Sequence, residues 1–175
     1  DYNGCSMEEL PRVYQRRIEE GQLAFYLILP DTPEDVKYSL FKRINTPGLK
    51  LEPQEIRHAL YQGTAARLLQ ELAENDIFRK VTDGDVPSKR MQDREMGLRY
   101  LALRYMGMEE YQNSTMDSYL NKAMSFLNQQ LPETIEEYKI TYFKTLQCNF
   151  KIFGIYAFRR ISKLKPGAKK PINTA

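Results

Sequence analysis

The chain holds one histidine, two cysteines and no long apolar run in its 175 residues. His58 by itself builds neither a metal site nor a catalytic triad, and a lone helical histidine is more often a packed or exposed side chain. Cys5 and Cys148 lie far apart in the sequence, without metal-ligand spacing. A disulfide between them stays open, but a reduced pair in the cytoplasm is the expectation. No segment approaches the roughly 18 apolar residues of a membrane span, and no signal peptide is visible, so a cytoplasmic protein with no membrane partner is expected. Gly-rich phosphate loops, metal-ligand clusters and nucleophile motifs are missing, so no catalytic residue and no metal ligand are assigned. Glu19-Glu20 and Glu136-Glu137 read as solvated charge pairs at helix ends.

Acids are missing from the whole C-terminal stretch. After Glu137 there are nine Lys or Arg and no Asp or Glu, whereas the preceding residues hold 17 basic against 23 acidic groups. A net charge of +3 therefore conceals an asymmetry that suits nucleic acid. Arg159, Arg160, Lys163, Lys165, Lys169 and Lys170 are the candidate DNA contacts. Aromatics accompany them (Tyr142, Phe143, Phe150, Phe153, Tyr156, Phe158), and a basic surface with aromatics can track a strand. Their helical spacing favours a core role instead.

What is present is mostly helix signal. Hydrophobic residues make up 42% and charged residues 28% of the chain, ordinary for a globular chain able to bury a core. A first helix starts at Ser6 or, because Pro11 would break it, at Pro11, and ends near Gly21. Gln22 to Leu29 is an apolar, β-rich run closed by Pro30, which predicts a strand buried on both faces. No second strand is evident nearby, so its partners must come from elsewhere.

The central stretch runs from Thr32 to Leu60. Thr32 caps a helix with Pro33 at its first position, Glu34 and Asp35 in its first turn, and Val36, Leu40, Phe41 and Ile44 on one face. Asn45-Thr46-Pro47-Gly48 stops it, since a residue before proline avoids the α region and Gly48 accepts φ > 0. Pro53 starts the next helix, with Ile56, Ala59 and Leu60 inward and Gly63 just past its end. Such a turn between packed helices can aim Arg43, Asn45, Thr46, Gln54, Glu55, Arg57 and His58 at one polar ligand. Equally, Asn45 and Thr46 can cap helices while Glu55 and Arg57 form structural ion pairs, and spacing favours this second reading.

Further helices are expected from Thr64, from Lys89 to Met106, from Ser114 or Thr115, and from Leu131-Pro132 to as far as Ile161. The helix from Lys89 is expected to carry Arg90, Arg94, Arg99 and Arg104 on its outer face. The longest helix carries Ile135, Tyr142, Leu146, Phe150, Phe153 and Ala157 as its stripe, with a kink near Gly154. Residues 163–170 form a basic tail with little reason to fold alone.

Phe41, Arg43, Ile44, Asn45, Thr46, Gly48, Leu51, Gln54, Glu55 and Arg57 follow the pattern Phe-x-Arg-Ile-Asn-Thr-x-Gly-x-x-Leu-x-x-Gln-Glu-x-Arg. This resembles a signature of the GmrSD-type restriction endonuclease N-terminal family, which has a ParB/sulfiredoxin-like domain and serves bacterial and archaeal defence against foreign DNA. Pro47 departs from it where a second glycine is common. Leu10-Pro11, Arg16-Arg17-Ile18 and Thr32-Pro33-Glu34-Asp35-Val36-Lys37 are similar as well. The likeness is strong from about Leu10 to Leu72 and looser beyond. The family's Asp-Gly-Gln-Gln-Arg motif is missing, as is any His-Asn-His nuclease domain.

The resemblance implies a fragment, mainly α: a multi-helix bundle with one residual strand at about 22–29 from a truncated ParB-like sheet. Three regions are expected: 1–52 as the end of the ParB-like domain, 53–162 as a helical domain and 163–175 as a basic tail. Both ends read as cut, from Asp1 to Ala175. The implied function is part of a nucleotide-dependent, DNA-targeting restriction or anti-phage protein. Arg43, Asn45, Thr46 and Gly48 would bind nucleotide, and Gln54, Glu55 and Arg57 would orient the site. NTP with Mg²⁺ would be the cofactor of the intact protein, with none expected for this chain alone, which would be inactive. Expected partners are modified or phage DNA, the N-terminal ParB-like half and a downstream nuclease domain. The alternative is a non-catalytic helical module that binds nucleic acid or regulates a partner. A third reading is self-association through residues 22–29.

Overall fold

The computed structural model describes residues 2–25, 27–29, 31–44, 50–112, 114–159 and 172. The chain divides into two compact units, 1–32 and 33–175. The expected boundary between 52 and 53 falls within the second unit. It would separate two helices on either side of the central turn that pack directly against each other.

In the first unit a short 3-10 turn, Met7–Glu9, precedes helix α1 (Arg12–Glu19). The helix begins just after Pro11, as the missing proline N–H dictates. Gln15 Nε2 donates to the Leu10 carbonyl at 2.8 Å, tying the helix to its lead-in, and the Tyr2 and Tyr14 rings meet at 5.2 Å. The strand expected at 22–29 is not seen among the described residues, and Leu23, Phe25 and Leu27 are each more than 80% exposed. Its β-rich composition cannot make a ladder without a partner, and among the described residues the only bridge is an isolated antiparallel pair, Arg159 with Ile172.

The second unit is helical: α2 (Glu34–Ile44), α3 (Pro53–Leu60), α4 (Thr64–Glu74), α5 (Asp76–Thr82), α6 (Gln92–Tyr105), α7 (Glu109–Gln112), α8 (Met116–Asn128) and α9 (Pro132–Phe153). Helix α4 packs on α6 and α8, α6 on α8, and α5 on α9. The core lies between them. Leu68, Leu69 and Leu72 of α4 meet Leu98, Leu101 and Ala102 of α6, and Leu120, Ala123, Met124 and Leu127 of α8. Each of the large ones is almost wholly buried, a contribution of about 1.5–3 kcal/mol apiece. At Gly97, where α6 crosses α4, an added Cβ would meet Leu72 Cδ1 at 3.6 Å, an ordinary contact for which there is room.

Several helix ends follow their local chemistry. Thr115 Oγ1 accepts from the Ser118 N–H at 3.2 Å, and Pro132 opens α9. Gly63 does not end α3, whose cap is Tyr61. At φ 119 it is the N-cap of α4, and the cap itself comes from a distant helix, as Asn128 Oδ1 accepts from the Ala65 N–H at 2.8 Å. The long α9 stops at Phe153 and does not reach Ile161, because Gly154 turns to φ 56. Tyr142 and Leu146 are buried and Phe143, Phe150 and Phe158 pack against the core, whereas Phe153 and Tyr156 stay exposed.

Candidate functional site

Residues 45–49 of the central turn, and so Asn45, Thr46 and Gly48, lie outside the described residues. Both of its flanks are described, and each is braced by a polar network. Glu52 and Glu55 form a capping box: Glu55 Oε2 accepts from the Glu52 N–H at 2.7 Å, and Pro53 is the first residue of α3. That fixes the start of α3 and turns Gln54 and Arg57, one helical turn apart, to the same inward side as Ile56.

Arg57 is 1% exposed. Its Nε donates to Gln54 Oε1 at 2.8 Å, its Nη2 to Glu95 Oε2 of α6 at 2.8 Å and its Nη1 to Asp117 Oδ1 of α8 at 3.2 Å. Asp117 has a second cation: Lys42 Nζ, from the last turn of α2, donates to its Oδ2 at 3.0 Å. Glu95 Oε1 likewise accepts from Arg99 at 2.7 Å. Burying a guanidinium costs several kcal/mol, offset only where carboxylates and hydrogen bonds satisfy it on all sides. Here one carboxylate, Asp117, grips the helix that enters the turn and the helix that leaves it.

The exit is held separately. Arg90 Nη1, from the residues preceding α6, donates to the Lys50 carbonyl at 2.8 Å and to Glu55 Oε2 at 3.1 Å. Electrostatics agree with this geometry. Burial works to raise the Asp117 carboxyl, but hydrogen bonds and charge from Lys42 and Arg57 outweigh it and hold it below its ordinary value. Glu55 is lowered too: burial opposes, and the Glu52 N–H and Arg90 prevail. Tyr38 of α2 is buried beside the cluster, and burial above all pushes its phenol up to about 12, with the Arg57 charge opposing. Two polar atoms here make no hydrogen bond of ordinary geometry, the Tyr38 hydroxyl and Gln54 Nε2.

No protein-family model, curated protein or solved structure matches this chain. The roles of its residues therefore rest on their geometry.

Gln54 and Arg57 are buried braces, and Glu55 is the partner of Arg90. Arg43 is exposed on α2 and lines a shallow depression of about 260 Å³ with Asp35, Val36, Ser39 and Leu40. His58 is partly buried. Burial, with the nearby Arg94 charge, lowers it below its ordinary value. Among the described residues no group of three His, Cys, Asp or Glu side chains could hold a metal ion, and Cys5 and Cys148 are exposed thiols outside any disulfide.

Arg159, one of the candidate DNA contacts, has a side chain 3% exposed, and its Nη1 pairs with Asp85 Oδ2 at 2.7 Å; Nε donates to the Ile155 carbonyl at 2.8 Å. It fastens the chain after α9 to the loop after α5. Arg160, Lys163, Lys165, Lys169 and Lys170 lie outside the described residues. The expected arginine face is also not uniformly outward, since Arg90, which precedes α6, and Arg99 of α6 are half-buried in ion pairs. Sequence reasoning missed Lys42, Arg90, Glu95 and Asp117. Glu95 and Arg99 at i,i+4 were a readable signal, but nothing local points to Asp117, 60 residues from its partner Arg57.

Proposed function

We propose that this chain is the helical portion of a nucleotide-dependent, DNA-targeting defence protein of the GmrSD type, and that it presents the turn 45–49 to a Mg²⁺-bound nucleotide. The supporting observation is the bracing of the turn from both sides, by Lys42–Asp117–Arg57 at its flanking helices and by Arg90 at Lys50. A connection that only joins α2 to α3 needs no buried guanidinium where the two helices meet. Preorganised donors, by contrast, need a stiff base to hold them within tenths of an ångström of a phosphate. In this reading Arg43, Asn45, Thr46 and Gly48 meet the nucleotide. Gln54, Glu55 and Arg57 are positioning residues, and the basic segment 160–170 meets DNA in the cytoplasm.

Calorimetric titration of Mg²⁺-NTPs into the whole protein that carries this chain tests the reading. Asn45→Ala and Thr46→Ala should weaken binding about tenfold or more, the value of one charge-assisted hydrogen bond, at an unchanged melting temperature. Equal affinity for wild type and both variants would refute it. The acid-free stretch after Glu137 favours a second reading, a non-catalytic nucleic-acid-binding module. That module would bind DNA regardless of Asn45, with affinity falling steeply as salt rises.

A further inference from the structure

At the end of α9 the chain leaves the core and returns within a few residues. Phe150 packs against the core before this excursion, and Ala157 is buried after it. Between them, the last turn of α9 and the 3-10 turn Gly154–Tyr156 form a tip, reversed at Gly154 with φ 56. It carries Ile152, Phe153, Ile155 and Tyr156 at 72%, 51%, 66% and 47% exposure. Single exposed apolar side chains are ordinary. These four fall within one run of five residues and together show about 400 Å² of mostly apolar surface, the scale of patches that mark interaction sites.

The backbone of the tip is closed on itself. The Gly154 N–H donates to the Phe150 carbonyl. The carbonyls of Gly154, Ile155 and Tyr156 accept from the Ala157 N–H at 3.1 Å, Arg159 Nε at 2.8 Å and the Arg159 N–H at 3.1 Å. Water would satisfy such groups in an ordinary loop, whereas backbone that enters lipid has to satisfy them internally. Charge around the tip is basic. Lys144 and Lys151 are exposed two turns apart on one side of α9. Arg79 and Lys80 are exposed in the last turn of α5, which packs on α9, and Lys80 Nζ stands 5.6 Å from the Phe150 ring. Asp83 and Asp85, in the loop after α5, are turned to the buried Arg159 at 3.9 and 2.7 Å. A second copy docked symmetrically on this face would set lysine against lysine, and phosphate contacts to a duplex gain nothing from exposed isoleucines. An anionic lipid surface suits both the apolar side chains and the cations.

We propose that the tip 152–156 docks on the surface of an anionic lipid bilayer. Ile152, Phe153 and Ile155 enter the boundary between headgroups and acyl chains, Tyr156 stays at headgroup level, and Lys144 and Lys151 meet lipid phosphates. Such a contact needs no spanning helix, and none of the described helices is long and apolar enough to cross a membrane. The site is independent of the turn 45–49 and of the nucleotide reading.

The test is co-sedimentation of the full chain with vesicles of phosphatidylcholine containing about a third phosphatidylglycerol, against phosphatidylcholine alone. The anionic vesicles should bind the chain about tenfold more tightly or better. The chain has no tryptophan, so Phe153→Trp places a single reporter in the tip. Its emission should move to shorter wavelength on the anionic vesicles and be quenched by lipids brominated on their acyl chains. Ile152→Ser combined with Ile155→Ser, at two exposed positions, should keep the melting temperature and lose about tenfold or more in vesicle affinity. Lys144→Gln combined with Lys151→Gln should lose a similar factor. No preference for anionic vesicles, an unquenched reporter, or wild-type vesicle affinity in the isoleucine variant would overturn the proposal. Duplex DNA binding that falls in the lysine variant, with vesicle binding indifferent to the isoleucines, would also overturn it and give the face to nucleic acid. A dimer dissolved by the isoleucine variant, without vesicle binding, would overturn it in favour of a second copy.

Discussion

Replacing Arg57 by methionine tests the brace between α3, α6 and α8. Methionine keeps much of the apolar stem, so the change removes the guanidinium and its three hydrogen bonds while limiting the cavity. Breaking a buried pair by removing one partner typically costs about 3–5 kcal/mol, because the other charge is stranded. Here the stranded groups are partly relieved. Glu95 and Asp117 are 20% and 33% exposed, and each keeps another cation, Arg99 and Lys42. The low end applies, about 3 kcal/mol, or a fall in melting temperature of roughly 6–12 °C for a chain of this size. Arg57→Lys keeps the charge but not the planar fork, and should lose about 1–2 kcal/mol. Urea unfolding followed by circular dichroism measures both. Arg57→Met combined with Asp117→Asn should show a coupling of about 1–3 kcal/mol, as residues in one network do. Arg57→Met within about 0.5 kcal/mol of wild type would refute the reasoning.

Arg159→Ala should destabilise the protein by about 2–4 kcal/mol through the loss of Asp85, yet leave DNA affinity within about twofold, as read by fluorescence anisotropy below the unfolding range. Gly97→Ala should stabilise by about 0.5–1 kcal/mol in thermal melts, since its Cβ meets Leu69 and Leu72 at ordinary contact distance inside a helix. Asp117 and Glu55 are both lowered in the folded state. Their stabilisation is therefore complete above the unfolded carboxylate values of about 4 and is lost as pH falls through the folded ones. Urea midpoints should drop between about pH 5 and pH 3, and the drop should shrink in Glu55→Gln.

The helical class was legible because Pro53, Pro132, Thr115 and the spaced leucines carry local instructions for starting helices and facing a core. The segment 22–29 misled because its apolar, partly aromatic composition describes a residue's preference for a ladder and not the existence of the second strand. The site was half legible. Gln54, Glu55 and Arg57 stood out as polar groups among core positions, and the alternative of structural ion pairs describes where they are found. Their partners could not be read. Arg57 reaches Asp117 across 60 residues and Arg159 reaches Thr82 across 77, and tertiary packing alone brings such groups together. The same holds for Asn128, which caps a helix 63 residues away.

The central claim is that Asp117 clamps the two helices flanking the turn into one unit. Amide hydrogen exchange across residues 38–60, on wild type and on Asp117→Asn, tests this most directly. The clamp predicts that protection falls together in the last turn of α2, around Lys42, and in α3, around Arg57, while the core of α4 and α6 is unchanged. Protection lost in only one of the two helices, or in neither, would contradict it.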